Sequence, residues 1–148
     1  MSLYCLGNAR TDEQRRRMRE LEAAGTCLFC PDGLGRFGAG DAPRWQSPSW
    51  LVLDNDFPYR GAARHLLLVP RRHLSDLTEL DPAEREEFWA ALAAAKQLAG
   101  GAGYGLGARN GDCASTGATI AHLHLHLLVA EPGAEPLRMR FSGRSGLV

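Results

Sequence analysis

The feature that most constrains this chain is a run in which His122, His124 and His126 alternate with leucine. Successive side chains of a β-strand point to opposite faces, so the three imidazoles share one face and the leucines share the other. An ordinary solvated face would mix several polar residue types. The run therefore predicts a strand whose leucines enter the core and whose second face is made of histidine.

Three interpretations of this histidine face compete. A single metal ion cannot bind all three rings, because the outer two are ~13 Å apart on a strand and zinc holds its nitrogen ligands at ~2.1 Å. One ion can still take a neighbouring pair, or one histidine with ligands from elsewhere. A chance polar face is the second interpretation, and the strict period of two argues against it. The third is a nucleophilic site, because a neutral imidazole attacks phosphorus once a hydrogen bond to its other nitrogen fixes the tautomer.

Start and stop signals predict two helices. Residues 11–24 form a charged helix that Gly25 ends. The capping box of Asp81 and Glu84 starts a second helix, which runs to about Leu98 before a pair of glycines.

Apolar runs predict the strands. The segments predicted as strands are 50–53, 65–70, 104–109 and 119–130. Residues 31–48 and 111–117 are predicted as loops, and the tail 131–148 is predicted as irregular. Because strands and helices do not strictly alternate, the pattern favours an α+β domain with a mainly antiparallel sheet.

Length and charge exclude several classes of protein. The chain has 148 residues, which suits a single domain over residues 1–148. Its formal net charge is +0, so it lacks the footprint of a protein that binds nucleic-acid polymers or anionic membranes, although a local basic pocket for a small anion remains open. No apolar run approaches the ~20 residues of a membrane helix, and residues 1–10 do not resemble a signal peptide.

Cysteine usage predicts a reducing, cytoplasmic location. The cysteines at positions 5, 27, 30 and 113 do not make a disulfide scaffold at this chain length. Cys27 and Cys30 form a Cys-x-x-Cys pair, and a redox role for it would need a βαβ setting that the pattern does not predict. Inert thiols and a metal site are the other interpretations. Cys5 and Cys113 are predicted to be buried or incidental.

The run from His122 to Leu128 resembles, at every position, the His-φ-His-φ-His-φ-φ signature of the histidine-triad (HIT) superfamily, in which φ is apolar. Further segments resemble motifs of that family in the same order along the chain. They are Cys27 to Cys30, Asn55 to Pro58, His65 to His73 and Gly117 to His122. Ala118 departs from the family, where glutamine is common, and Asn110 lies one residue further from the triad than usual. The likeness covers about residues 26–130.

This resemblance implies a HIT-like fold, with a sheet of five strands or so, one long helix and a shorter N-terminal helix. It also implies a nucleotide hydrolase or nucleotidyl transferase that acts at the α-phosphorus through a covalent nucleotidyl-histidine. In that scheme His124 is the nucleophile, His126 hydrogen-bonds a phosphate oxygen or the leaving atom, and His65 orients the triad. Substrates of this class include dinucleoside polyphosphates and nucleoside phosphoramidates.

The resemblance implies substrate-binding residues as well. Asn55 corresponds to the residue that holds the ribose hydroxyls, and Asn110 and Thr119 are candidates for contacts near the triad. Thr119 falls on the opposite face of a regular strand, so it needs a bend or a bulge to reach a phosphate. The tail arginines at positions 138, 140 and 144 are open between a polyphosphate, a second subunit and solvent.

A bound zinc ion is implied by the same resemblance. The ligand positions of the zinc-carrying branches correspond to Cys27, Cys30, His73 and His122. A Cys₂His₂ set is closed and tetrahedral, so this zinc would be structural.

Two other functions stay open at this point. One is a nucleotide-binding or regulatory protein without turnover, and the other is a metal-centred enzyme that uses an open zinc at His122. Many members of the family are homodimers, which implies a possible homodimer here.

Overall fold

The computed structural model describes residues 2–37, 42–101 and 103–143, and within them the chain forms an α+β fold around one five-stranded sheet. The strands are β1 (Trp45–Gln46), β2 (Trp50–Asp54), β3 (Ala62–Pro70), β4 (Gly105–Ala108) and β5 (Leu125–Ala130). Their order in the sheet is β1-β2-β3-β5-β4, and every neighbouring pair is antiparallel. The predicted α+β class with an antiparallel sheet is confirmed.

Four α-helices accompany the sheet in the described residues. They are α1 (Asp12–Ala23), α2 (Pro31–Phe37), α3 (Pro82–Leu98) and α4 (Cys113–Thr116), with single 3₁₀ turns at Leu6–Asn8 and Leu77–Glu79. Both predicted helices are confirmed. The Thr11 side chain caps α1, and Asp81 and Glu84 form the expected capping box at the start of α3.

Two of the predicted loops contain short elements, so the loop predictions are wrong at those positions. Within 31–48, α2 begins at Pro31, where a missing N–H costs nothing, and the short strand β1 lies at Trp45–Gln46. Gly33 lets this helix approach the preceding turn, because a Cβ there would lie 1.9 Å from the carbonyl oxygen of Cys27. Within 111–117, the Asp112 side chain caps α4. Proline, glycine and aspartate are helix-end residues as well as loop residues, which explains both errors.

The predicted strand 119–130 is wrong in its first half, because β5 begins only at Leu125. Both neighbours of β5 pair with it no further than this residue. Pro70, at the end of β3, has no N–H with which to continue the ladder. Its carbonyl oxygen instead accepts a hydrogen bond from Nε2 of His122 at 2.7 Å.

Two apolar clusters pack on the two faces of the sheet. The cluster shared with α3 contains Leu66, Leu68, Ala91, Ala95, Leu123, Leu125 and Leu127. The cluster on the other face contains Cys27, Phe29, Leu51, Leu67 and Val69. The alternate leucines of the histidine run therefore enter the α3 side of the core, as predicted.

The N-terminal segment crosses the chain that leads into β5. Ala121 donates its N–H to the Leu3 carbonyl at 2.9 Å, Cys5 donates to the Thr119 carbonyl at 3.0 Å, and a disulfide joins Cys5 to Cys113. The two cysteines were predicted to be buried or incidental; Cys113 is buried, and the disulfide gives both a structural role that the sequence did not indicate. They are 108 positions apart, so their spacing carries no signal for pairing. Disulfides are typical of oxidising compartments, so the cytoplasmic location stays a prediction.

The described part of the tail, residues 131–143, contains no helix or strand, as predicted, yet it packs closely against the chain before the triad. Gly117 has a φ of +83°, and a Cβ there would lie 2.5 Å from the Ser142 carbonyl oxygen. Glycine is therefore required at this position for two reasons: the backbone has a positive φ, and the tail lies too close for a Cβ. Arg144 lies outside the described residues. Among the described residues, no helix combines the length and the apolar character needed to cross a membrane.

Candidate active site and metal centre

The triad histidines lie on the sheet face opposite α3 and are all buried. His126 pairs with Leu67 across the β3–β5 ladder, and Leu67 belongs to the cluster on that face. The ring of Phe29 lies 5.2 Å from the ring of His124, which places His124 on the same side. The structure thus brings the three rings together between the sheet and the N-terminal part of the chain.

The protonation of His124 follows from one hydrogen bond to the backbone. Its Nδ1 lies 2.8 Å from the carbonyl oxygen of His122, and a carbonyl can only accept, so Nδ1 carries the proton. Within the described parts of the chain, Nε2 of His124 has no hydrogen-bond partner. Burial above all lowers the pKa of His124 to about 4, against the opposing effect of the His122 carbonyl. The ring is therefore neutral near pH ~7, with a lone pair on Nε2.

A second chain of hydrogen bonds fixes His65 and His126. The backbone N–H of Tyr59 can only donate, and it lies 3.0 Å from Nδ1 of His65, so the proton of that ring is on Nε2. In this tautomer the nearby Nδ2 of Asn55, which is also a donor, does not hydrogen-bond Nε2. This Nε2 lies 2.8 Å from Nδ1 of His126 and donates to it. The proton of His126 is then on its own Nε2. His126 is consequently a hydrogen-bond donor on the side away from His65.

Burial also keeps these two rings neutral. The pKa of His65 falls to about 3, chiefly through burial, with smaller contributions from the Arg10 guanidinium, His124 and Arg109. Burial followed by the neighbouring His124 lowers the pKa of His126 well below its usual range. Both histidines are therefore uncharged donors and acceptors near pH ~7.

Two thiols and two imidazoles form a cluster next to the triad. Cys27, Cys30, His73 and His122 each offer one ligand atom, and these atoms all lie within 4.8 Å of one another. Nδ1 of His122 lies 3.5 Å from Sγ of Cys27, because the Pro70 carbonyl holds its Nε2–H. Nδ1 of His73 lies 3.3 Å from Sγ of Cys30. A soft S₂N₂ donor set at these distances, with one histidine oriented by a backbone carbonyl, fits a tetrahedral metal ion such as zinc.

A cavity of about 1220 Å³ opens between the triad and the N-terminal part of the chain. His124 and His126 form part of its wall, together with α1, the turn after β2 and the tail. The charged residues in its described lining are Arg10, Arg17, Arg60, Arg109, Arg138, Arg140, Asp54, Asp56 and Glu135. Arginines outnumber carboxylates here, so the cavity is the local basic pocket that the neutral net charge left open. Such a lining suits an anionic ligand.

Tyr59 and Arg109 lie in this cavity, and sequence reasoning missed both. The Tyr59 ring stacks on His126 at 5.4 Å and meets the edge of His65 at 4.5 Å. Nη1 of Arg109 donates to the Tyr59 hydroxyl at 2.8 Å and lies 3.4 Å from Nε2 of His126. Tyr59 lies between two segments that resemble family motifs, Asn55 to Pro58 and His65 to His73, and belongs to neither, so the sequence carried no signal for it.

The predicted substrate-binding residues have separate positions. Asn55 lines the cavity, its Oδ1 accepts from the Phe57 N–H at 2.9 Å, and its Nδ2 is 3.1 Å from Nε2 of His65. Thr119 also lines the cavity, at a bend of the chain before β5. Asn110 accepts a hydrogen bond from the Leu77 N–H at 2.8 Å and is outside the described lining. The roles of all three remain predictions.

The family model described as the HIT domain matches residues 46–133, which is more than half of the chain. The chain therefore belongs to the HIT domain family. A comparison with curated proteins gives no significant match.

Solved structures similar to this chain include members of the same family. A HIT family hydrolase from Legionella pneumophila Philadelphia 1 is 25% identical, with coverage of 75% of this chain and 98% of that chain and a TM-score of 0.53. A Zn-bound histidine triad family protein from Mycobacterium smegmatis is 26% identical, with coverage of 80% and 84% and a TM-score of 0.55. A hypothetical protein from Leishmania major is 25% identical, with coverage of 84% and 86% and a TM-score of 0.60. The predicted HIT-like fold is confirmed.

Proposed function

We propose that this protein is a nucleotide hydrolase or nucleotidyl transferase that acts at the α-phosphorus through His124. The observation that carries the proposal is the unpartnered Nε2 of a neutral, tautomerically fixed His124 at the wall of an arginine-rich cavity. Membership of the HIT domain family and the similarity to a HIT family hydrolase support it. The family binds small nucleotides, so the cavity takes a nucleotide rather than a nucleic-acid polymer.

The reaction has two steps in this proposal. In the first, the Nε2 lone pair of His124 forms a bond to the α-phosphorus, and the leaving group departs with the electron pair of the broken bond. In the second, a water oxygen bonds to the phosphorus, its proton goes to solvent, and the electron pair of the P–N bond returns to Nε2. His126 donates its Nε2–H to the substrate, and His65 holds His126 in the donating tautomer. Asn55, Thr119 and Asn110 remain proposed as substrate contacts.

A zinc ion at Cys27, Cys30, His73 and His122 completes the proposal. All four ligands come from the protein, so the ion has no open position and acts as a structural cross-link. The similarity to a Zn-bound histidine triad family protein supports this assignment. When bound, the ion would hold His122, whose carbonyl oxygen accepts the Nδ1–H of the nucleophile.

The cytoplasmic location and the homodimer were predicted from the sequence, and we retain both as proposals. β4 is one of the two edge strands of the sheet, and Leu106 on it is 42% exposed. An edge strand of this kind is open to pairing with a second copy. Light scattering of the purified chain would give its oligomeric state.

The experiment compares the wild type with His124→Asn on an adenosine phosphoramidate and on diadenosine tetraphosphate. We expect the wild type to release AMP and the variant to lose more than about 1000-fold in turnover, because no other lone pair replaces Nε2. All five histidines belong to the triad, its neighbour or the metal cluster, so the chain offers no histidine for a matched control substitution. The control is therefore that His124→Asn still binds AMP and keeps the circular dichroism spectrum of the wild type. If both proteins bind AMP and neither turns over, the chain is a binding protein and the catalytic proposal is rejected.

A further inference from the structure

Two hydrogen-bond donors point at the same place beside the triad. The proton of His126 is on Nε2, because Nδ1 accepts from His65. Arginine has only donors, so Nη1 of Arg109, 3.4 Å from that Nε2, cannot form a hydrogen bond with a protonated nitrogen. Two adjacent donors without an acceptor between them are the arrangement that binds an oxygen carrying negative charge.

The backbone and one phenol hold Arg109 in this position. Its Nε donates to the Arg140 carbonyl oxygen at 2.7 Å, and Nη1 donates to the Tyr59 hydroxyl at 2.8 Å. Among the described residues, no carboxylate pairs with this guanidinium, and Nη2 has no hydrogen-bond partner. Its positive charge is therefore uncompensated. The residue is half-buried, and the N–H donors of Nη2 are unused. This differs from Arg17 and Arg60, which form ion pairs with Asp56 and Glu135.

We propose that Arg109 and His126 together bind the leaving-group oxygen, and that the site therefore favours substrates whose leaving group departs as an oxyanion over those that release an amine. This inference rests on the proposed function and specifies its substrate class. An in-line displacement puts the leaving atom on the far side of the phosphorus from the nucleophile. The contacts of Arg109 are with His126 and not with Nε2 of His124, which suits a role at the leaving group.

The chemical reason is the charge that develops as the bond breaks. When the Nε2–P bond forms and the P–O bond breaks, the electron pair and the negative charge pass to the leaving oxygen. A guanidinium within hydrogen-bond distance stabilises this charge in the transition state, where it is larger than in the ground state. An amine leaving group ends as a neutral molecule after it takes a proton, so it gains little from Arg109.

The experiment measures kcat/KM of the wild type, Arg109→Gln and Arg109→Lys on diadenosine tetraphosphate and on an adenosine phosphoramidate. We expect Arg109→Gln to lower the ratio of the two values, anhydride over phosphoramidate, by about 10- to 100-fold, which is what a charge-assisted hydrogen bond supplies. Arg109→Lys keeps the charge without the fork, so it should fall between the two. Arg85→Gln, on the exposed face of α3, removes the same charge far from the cavity and should leave the ratio unchanged.

Each other outcome overturns the inference. An equal loss on both substrates would place Arg109 at the α-phosphate or the nucleoside, and unchanged values would remove it from the reaction. A misfolded Arg109→Gln would show in its melting curve, and Arg109→Lys then decides the question by the same ratio. Turnover of both substrates by the wild type is measured before any variant is compared. If the wild type cleaves neither substrate, the proposed function itself has failed.

Discussion

At the scale of single residues, the backbone decides which nitrogen of each histidine carries the proton. The His122 carbonyl fixes His124, the Pro70 carbonyl fixes His122, and the Tyr59 N–H fixes His65. No carboxylate takes part in these hydrogen bonds. The carbonyl acceptors favour the imidazolium and raise the pKa of His122 and His124, but burial lowers both pKa values by more, so the rings stay uncharged near pH ~7.

The depressed pKa of His65 makes stability depend on pH. Its folded-state pKa of about 3 lies below the unfolded value of ~6.5, so the unfolded chain binds the proton first. The resulting contribution to stability is present above pH ~6.5 and is lost as the pH falls towards the folded-state pKa. Between pH ~7 and ~5 the wild type should lose about 2 kcal/mol more free energy of unfolding than His65→Gln.

Urea unfolding of both proteins at the two pH values checks this. The charged and titratable groups that face His65 are Arg10, Arg109, His124 and His126, and they are present in both proteins. Equal losses of stability in wild type and variant would contradict the depressed pKa.

At the scale of elements, the Cys₂His₂ cluster connects parts of the chain that the sheet does not join. Cys27 and Cys30 precede α2, His73 follows β3, and His122 precedes β5. α2 is not part of the sheet, and the chain before β5 pairs with neither neighbour of that strand. A bound ion would therefore contribute most of its stabilisation where the regular elements end.

Removal of zinc should accordingly unfold and inactivate the protein together. We expect one zinc per chain in the purified protein, and a melting temperature about 10 °C or more lower after chelation or in His73→Asn. Elemental analysis, thermal unfolding and AMP release measured on the same samples check this. An immediate loss of turnover with an unchanged melting curve would instead indicate an open, catalytic zinc.

At the scale of the whole molecule, the N-terminal segment and the tail close the cavity against the sheet. The Cys5–Cys113 disulfide fastens the segment, and Nδ2 of Asn8 donates to the carbonyl oxygens of Cys113 and Ala118 at 2.9 and 2.8 Å. Arg10, just beyond, lines the cavity and its guanidinium lies 4.5 Å above the Tyr59 ring. The geometry of the cavity thus depends on contacts between the N-terminal segment and residues 105 to 110 positions further along the chain.

The disulfide closes a loop of 108 positions, so it should matter for stability. The double variant Cys5→Ser, Cys113→Ser should lose about 2 to 4 kcal/mol in free energy of unfolding, which is typical of disulfides and below the ~4.7 kcal/mol that the chain-entropy account gives for a loop of about 100 residues. Guanidinium unfolding of the wild type and the variant, each with and without a thiol reductant, checks this. The reductant should lower the free energy of unfolding of the wild type and leave that of the variant unchanged. A wild type that is equally stable with and without reductant would show that the bond contributes nothing.

The sequence alone determined whatever depends on local pattern. The period of two at 122–128 put the leucines in the core and the histidines on one face, and the capping box at Asp81 set the start of α3 correctly. Both are short-range properties, because strand faces and helix caps are decided by residues a few positions apart. The Cys₂His₂ set was also found, but only through resemblance to a family in which its four members had already been brought together.

Tertiary structure decided what depends on residues distant in sequence. The pairing of Cys5 with Cys113, the start of β5 at Leu125 and the approach of Arg109 to His126 all follow from how separate segments pack. No local pattern encodes them, since a lone arginine or cysteine is the same in any fold until a partner is placed beside it. The tautomers of the histidines belong here too, because each is fixed by a hydrogen bond that only the folded chain supplies.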